Sequence, residues 1–517
     1  MIVGDQSEVI AFLSQPETYG PGVPFVERRE THASILFLAG ARVFKLKRAV
    51  RFPYLDYGSP AARQRFCEAE VAINRRTAGD LYRGVVAVVR HPDGSLGLGD
   101  DGRPVDWVVE MQRFAEDALL DHVAAGGGLD RRNIETLADA IARFHREAER
   151  RPTAGGAAAM EKILDGNVHS FVEVDPAILD PTAIARLATA SRQALAGVAP
   201  LLDRRRADGF VRHCHGDLHL RNIVLIEGRP VLFDAIEFDP TFADIDVLYD
   251  LAFLVMDLEF RDLRRLASIL LNRYLDVTGD SEGLAALPLF CSLRAAIRSH
   301  IDAAAAATHS DAEAAAVLAT GAARYLALAL EFLEPSVPRL IALGGLSGSG
   351  KSRLARELAP CFAPRPGARV IRTDATRKRL AGVAPETRLA PADYSAEASR
   401  RIYDAVYDEA RETLAAGRTV IADAVFARPE ERAAIASIAT AAGVPFDGLW
   451  LEADPALLER RVRERRGDTS DATPEVVRTQ LAIELGAIDW HRVPSSGAAE
   501  DTLGTARRLV GAEPHQS

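Results

Sequence analysis

Asp217, Asn222 and Asp234 fall within one stretch, Val211–Asp234, VRHCHGDLHLRNIVLIEGRPVLFD, and their types and spacing suit phosphate chemistry. Asp217 closes a His215-Gly216-Asp217 turn, Asn222 follows five residues later, and an apolar hairpin runs on to Asp234. A hydroxyl that attacks a γ-phosphoryl group needs a carboxylate to orient it and accept its proton, and Asp217 lies on a loop that can approach a substrate. The nucleotide phosphates need a divalent cation. Hard oxygen donors suit Mg²⁺, and Asn222 and Asp234, delivered from the two ends of one hairpin, can reach the same phosphate cluster. The bland alternative, a polar turn and an Asn that cap a hairpin, is disfavoured by a second, independent signature downstream.

That signature begins with Arg339–Gly344, RLIALG, which reads as a short strand. It runs into Gly345-Leu346-Ser347-Gly348-Ser349-Gly350-Lys351-Ser352, and a helical segment RLARELAP follows. This is GxxxxGK[ST] in the strand, loop and helix context the motif requires. Its glycines let backbone N–H groups curl around phosphates at a helix N-terminus, Lys351 supplies a point charge, and Ser352 offers a hydroxyl to Mg²⁺. Further on, Val370–Thr373 reads as a strand ending at Asp374, with Arg377 three residues later. A carboxylate at the C-terminal end of such a strand faces the crevice where open α/β sheets bind ligands. Thr419–Ala422 is another strand, and it ends at Asp423, placed to order a Mg²⁺-bound water or the acceptor. Gly448–Leu451 then leads into a helix crowded with Arg460, Arg461, Arg463, Arg465 and Arg466.

The first stretch resembles the catalytic loop and metal-binding aspartate of the aminoglycoside phosphotransferase and choline kinase group, distant relatives of protein kinases. The resemblance implies Asp217 as base, Asn222 and Asp234 as metal ligands, and a bilobal α+β kinase-like domain. The chain departs from protein kinases at Asp234-Ala235-Ile236, where they carry Asp-Phe-Gly. In kinase-like folds a hairpin covers the nucleotide, and a strand lysine pairs with its phosphates. Ile35–Leu38 and Arg42–Leu46 read as that hairpin, with Lys45 in the lysine's place and Lys47, of the same strand parity, as the alternative. No GxGxxG precedes it, so Thr31–Ser34 would cover the phosphates. Pro60–Ala78 reads as a helix in which Glu70 interrupts an apolar stripe. A carboxylate on a buried face needs a partner, and the resemblance supplies Lys45, with Glu68 as the competitor. Glu110-Met111-Gln112 would be the hinge beside adenine. Asp250-Leu251-Ala252 resembles a segment whose acidic residue supports the catalytic loop. Its acidic neighbours Glu237, Asp239, Asp244 and Asp246 read as structural hydrogen-bond acceptors rather than as binders of a cationic substrate.

In the C-terminal part, Asp374 and Arg377 form a DxxR arrangement that resembles polynucleotide kinases, zeta-toxin-like kinases and small-molecule kinases of the gluconate and shikimate type. It implies Asp374 as base and Arg377 as substrate clamp. The arginine-rich helix is similar to the mobile lid of such kinases, with Arg461 and Arg465 placed to stabilise charge on the transferring phosphoryl group. The two signatures in this order resemble a bacterial family of fused proteins, an aminoglycoside-phosphotransferase-like domain followed by a P-loop kinase-like domain.

A chain of 517 residues is too long for one core. The stiff break Glu334-Pro335-Ser336-Val337-Pro338 sets the expected boundary, with a kinase-like domain over 1–336 and an α/β P-loop domain, a parallel sheet flanked by helices, over 337–517. A net charge of -10 argues against a general nucleic-acid coat. Four scattered cysteines suggest neither a disulfide framework nor a zinc site. The N-terminus lacks a signal peptide's pattern and no apolar run reads as long enough to span a bilayer, so the expected location is the cytoplasm, away from membranes. The expected activity is a phosphotransferase with two ATP and Mg²⁺ sites acting on a hydroxyl of a small polar acceptor, a sugar, amino sugar or aminoglycoside-like compound. The alternatives are a polynucleotide-end kinase in the C-terminal domain, or a regulatory protein in which one domain senses nucleotide. Oligomeric state is left open.

Overall fold

The structure is a computed structural model that describes residues 2–52, 55–99, 101–464 and 469–512. The chain forms two compact units. The first takes Met1–Thr136, Arg143–Gly155 and Arg206–Asp250, and the second takes Leu137–Ala142, Gly156–Arg205 and Leu251–Ser517. The boundary expected between residues 336 and 337 therefore falls inside the second unit. The prolines there do separate the helix Ala312–Phe332 from the strand Leu340–Gly344. The helices before that break nevertheless join the P-loop sheet in one compact body, because helix Arg264–Thr278 covers an edge of it.

In the first unit, Ser34–Ala39 and Arg42–Lys47 pair antiparallel around Gly40 and Ala41. They belong to a six-stranded sheet ordered Val26–Glu30, Ser34–Ala39, Arg42–Lys47, Arg103–Gln112, Tyr82–Arg90, Leu96–Leu98, with every neighbour antiparallel. Side chains alternate across a strand. Phe44 and Leu46 accordingly join Ile35, Phe37, Val88 and Val108 in one apolar core, while Val43 joins Cys67, Val71, Tyr82, Val109 and Met111 on the other face. Lys45 and Lys47 share that second face, where the helix Pro60–Ala78 lies. Ser59 starts the helix by accepting a hydrogen bond from Ala62 N, and Pro60 occupies the first turn, where its missing N–H costs nothing. Below the sheet, Val211–His213 pairs with Asp244–Asp246, and Ile223–Ile226 pairs with Arg229–Leu232.

In the second unit, five parallel strands are ordered Arg369–Arg372, Val420–Asp423, Leu340–Gly344, Phe446–Glu452, His491–Pro494. Leu340–Gly344 is buried along its whole length, which is why it reads as an unbroken apolar run. Ile341 and Leu343 pack with Leu354, Leu358, Ala506 and Val510 on one face, and Leu340 and Ala342 pack with Val406, Ala410, Ile435 and Ile438 on the other. The strand expected over Val370–Thr373 ends at Arg372, so Asp374 sits in the first turn of the helix Thr373–Leu380. The last strand is His491–Pro494.

Two helices bear on the reading of the sequence. Pro181–Asp208 is a helix of 28 residues that the sequence reading left unassigned. Ala312–Phe332 corrects the expectation about apolar runs: by length and composition this one helix, among the described residues, suffices to cross a membrane. Alanine makes it so, since small apolar residues count toward the span without forming a wide apolar face. Its later half, Ala322, Tyr325, Leu326, Leu328, Ala329 and Phe332, is buried, and Ser299 donates a hydrogen bond to Ala322 O at 2.8 Å.

Candidate active sites

Lys45 Nζ donates to Glu70 Oε1 at 2.8 Å and to Asp234 Oδ1 at 2.7 Å. Glu70 is fully buried, whereas Glu68 is exposed and accepts from Gln64 at 3.0 Å. Lys47 also reaches Glu70, through Oε2 at 2.6 Å. The shared parity that left the two lysines unresolved in the sequence is the physical reason both arrive at one carboxylate. They part at their second contacts: Lys45 goes to Asp234, and Lys47 to Glu237. Burial alone would push the Glu70 carboxyl up, but the ammonium groups of Lys45 and Lys47 overcome it and hold it well below the usual carboxylate range. Burial likewise works against the Lys45 cation, and the carboxylates of Asp234 and Glu70 restore it.

Gly216 takes φ 84°, and a Cβ there would stand 2.9 Å from Phe242 O, so this turn admits glycine alone. His215 Nε2 lies 2.9 Å from Phe233 O. A carbonyl only accepts, so Nε2 carries the proton, and burial lowers the ring's pKa and keeps it neutral. Asp217 is 38 % exposed. Asn222 Nδ2 donates to Asp217 O at 2.9 Å and to its Oδ2 at 2.8 Å, leaving the amide oxygen of Asn222 as the atom suited to a cation. Ile223 pairs with Leu232, so Asn222 and Asp234 leave the same open end of the hairpin. Asp234 has φ 60°, a left-handed backbone that aspartate tolerates better than most residues. Its N–H donates to the Tyr82 hydroxyl at 3.2 Å, and Ala235 N donates to Asn74 Oδ1 at 2.8 Å. The expected hinge residues Glu110, Met111 and Gln112 are ladder residues opposite Phe44, Val43 and Arg42.

Asp250 is fully buried beneath this loop. Its Oδ2 accepts from His215 N at 3.0 Å and meets His145 Nε2 at 3.1 Å, while Oδ1 accepts from Gly216 N at 2.9 Å. His145, Cys214 and Asp250 bring their possible ligand atoms within 4.8 Å of one another. The group nevertheless suits a hydrogen-bonded knot better than a metal. The Asp250 oxygens are committed to backbone amides and an imidazole, and burial and Asp250 push the Cys214 thiol well up.

In the second unit, Lys351 Nζ donates to Gly345 O at 2.7 Å and to Leu346 O at 3.1 Å. Ser352 Oγ, in the first turn of helix Lys351–Leu358, donates to Asp423 Oδ2 at 2.6 Å, at the C-terminal end of strand Val420–Asp423. Gly348 takes φ 87° and lies against the helix Pro455–Glu464, where a Cβ would stand 2.6 Å from Leu458 O. Arg461 Nη1 lies 3.4 Å from Gly348 O, which puts this arginine beside the P-loop; Arg465 lies outside the described residues. Asp374 is half-buried, and burial raises its carboxyl against a hydrogen bond from Ser470, with Asp423, Arg377 and Lys351 as the neighbouring charges. Arg377 donates to Asp393 O and stacks its guanidinium 4.6 Å from the Tyr394 ring centroid. Ser347, Gly350 and Ser349 complete the loop between strand and helix.

One P-loop contact was invisible in the sequence. Ser347 N donates to Gln480 Oε1 at 2.8 Å, from the helix Pro474–Leu481. Backbone amides of such loops are the donors that receive phosphate oxygens, so the Gln480 carbonyl competes for one of them. Gln480→Ala will tighten nucleotide binding by about threefold to tenfold, on the scale of one net hydrogen bond, as isothermal titration with ATP will show. Asn74 and Tyr82 were likewise missed as supports of the first site, since each acts through a contact distant in sequence.

The AAA_33 family model, described as an AAA domain, matches residues 340–483. That span holds the whole P-loop, Asp374, Arg377, Asp423 and Arg461. Over nearly its full length the chain is 30 % identical to the uncharacterized protein Rv2004c of Mycobacterium tuberculosis, covering 94 % of this chain and 95 % of that one. The chain belongs to the same family as Rv2004c. Solved structures also align. A choline/ethanolamine kinase family protein from Mesorhizobium loti matches at 15 % identity over 63 % of this chain and 98 % of its own, with a TM-score of 0.37. A sugar kinase from Janibacter matches at 19 % identity over 34 % of this chain and 96 % of its own, with a TM-score of 0.26.

Proposed function

We propose that this protein is an ATP-dependent kinase with two nucleotide sites, each moving a γ-phosphoryl group to a hydroxyl of a small polar acceptor such as a sugar, amino sugar or aminoglycoside-like compound. The observation that carries the reading is the single ammonium of Lys45 meeting both Glu70 and Asp234, on a loop whose other end holds Asp217 against Asn222. In the first site, within residues 1–336, Asp217 accepts the proton of the attacking hydroxyl. The new bond forms between that oxygen and the γ-phosphorus, and the bond to the bridging oxygen of ADP breaks. In the second, within 337–517, Asp374 takes the base's role, Arg377 holds the acceptor, and Arg461 and Arg465 lower the cost of the spreading negative charge. Asn222 and Asp234 in one site, and Ser352 and Asp423 in the other, would hold Mg²⁺. All four offer the oxygen donors that ion prefers, and the ion would neutralise phosphate charge. The cytoplasm is the location proposed, with small molecules rather than nucleic acid or membrane as partners.

The test supplies γ-labelled ATP and Mg²⁺ with a pool of small metabolites and follows which compounds gain label. Transfer lost separately in Asp217→Ala and Lys351→Ala supports two sites. If neither change reduces any transfer, the catalytic reading of both fails.

A further inference from the structure

Lys47 has no assigned part in the first site, yet it is the most deeply buried lysine beside it, with 1 % of its side chain exposed. An ammonium group in such a place must be paired. Its Nζ donates to Glu70 Oε2 at 2.6 Å and to Glu237 Oε1, and it lies 3.3 Å from the Tyr57 hydroxyl. That hydroxyl in turn donates to Glu237 Oε1 at 2.7 Å. Glu70 therefore divides its two oxygens, Oε1 to Lys45 and Oε2 to Lys47. The result is a line of alternating charge, Asp234, Lys45, Glu70, Lys47, Glu237, whose two ends stand three residues apart in the chain.

We infer that Lys47 is a positioning residue for the first site. This deepens the kinase reading proposed above and rests on it. Lys47 pins Glu70 by its second oxygen, so that Glu70 presents the first to Lys45 in one orientation. It also anchors Glu237, which steadies the backbone leaving the left-handed Asp234. Without Lys47, a buried Glu70 has one cation left, and it draws Lys45 toward itself and away from phosphate. Glu237 loses its ammonium partner and keeps the Tyr57 hydroxyl, and its charge acts on Lys45. Lys47 does not touch nucleotide in this account. It decides where Lys45 and Asp234 stand when nucleotide arrives.

The experiment uses the full chain in a Lys351→Ala background, which silences the P-loop site, and measures Mg·ATP binding by calorimetry beside the melting temperature. The expected result for Lys47→Met is a lower melting temperature and Mg·ATP affinity weaker by about tenfold, the usual scale for a supporting partner of a metal-site residue. The deciding variant is Lys47→Met with Glu237→Gln, which removes one charge of each sign. It will recover most of the melting temperature, because no unpaired carboxylate stays buried at Glu237, but its affinity will remain about tenfold down, because Glu70 still lacks its second partner. Should Lys47→Met fail to fold, this charge-balanced variant alone carries the test. Affinity that recovers together with the melting temperature, or that never falls, overturns the inference and leaves the kinase reading standing. A folded Lys351→Ala parent that binds no Mg·ATP removes the first site's kinase reading and this inference with it.

Discussion

Asp217→Asn will lower phosphate transfer by the first site by about a thousandfold while changing Mg·ATP affinity by no more than a few-fold. General-base catalysis contributes on the order of 10²–10⁴, and a neutral amide cannot accept the hydroxyl's proton. The substitution is close to isosteric, and Asp217 is partly exposed, so no buried charge is orphaned. Asn222 keeps an oxygen to donate to, at the Asp217 backbone carbonyl. On the nucleotide side, Lys45 bonds Glu70 and Asp234. Single-turnover transfer separated from nucleotide titration checks both halves. A parallel loss of binding would mean Asp217 holds the nucleotide rather than the acceptor.

Asp276→Ala will cost about 3–5 kcal/mol of stability in the second unit, the scale for removing one partner of a buried ion pair. Arg369 is 2 % exposed and lies 2.8 Å from Asp276 and 2.8 Å from Glu409. Asp276 also takes Arg372, and Glu409 takes Arg379. Losing Asp276 takes from Arg369 and Arg372 the buried carboxylate that they share. Burial pushes the Asp276 carboxyl up, but Arg372 and Arg369 pull it below its ordinary 3.8. A depressed carboxyl contributes stability that is fully present above the unfolded value and is lost as pH falls through the lower folded one. The deficit of Asp276→Ala against the parent will therefore be full at pH 7 and will shrink below about pH 4. Urea unfolding at both pH values measures it. The same helix covers the sheet edge: Asn272 donates to Ala368 O at 3.1 Å and accepts from Val370 N at 2.7 Å. Residues 337–517 expressed alone will lose that cover and the partner of Arg369, and open strand edges invite association. The fragment will aggregate where the whole chain does not, as light scattering at equal concentration will show.

Features legible in the sequence share one property, that their cause is local. The P-loop is eight consecutive residues between a strand and a helix. The helix Pro60–Ala78 announces its start with Ser59 and Pro60. His215, Gly216, Asp217 and Asn222 are neighbours on one turn, and the two ends of one hairpin account for Asp234. Asp374 was read one element early because a strand end and a helix first turn differ by a single residue there, finer than local pattern resolves.

Residue types and their spacing along the chain were enough to mark phosphate-handling loops at Asp217 and Lys351, since a tight turn needs its glycines and its acid in adjacent positions. Only the folded chain decided that Lys45 and Lys47 share Glu70, that Gln480 reaches a P-loop amide across 133 positions, and that Asp276 meets Arg369 across 93. It also joined the helices after Asp250 to the P-loop sheet, where the linker had suggested a break. The reason is that a buried charge is satisfied by whichever partner the packing brings near. That partner is set by three-dimensional proximity, on which periodicity and motif spacing carry no information.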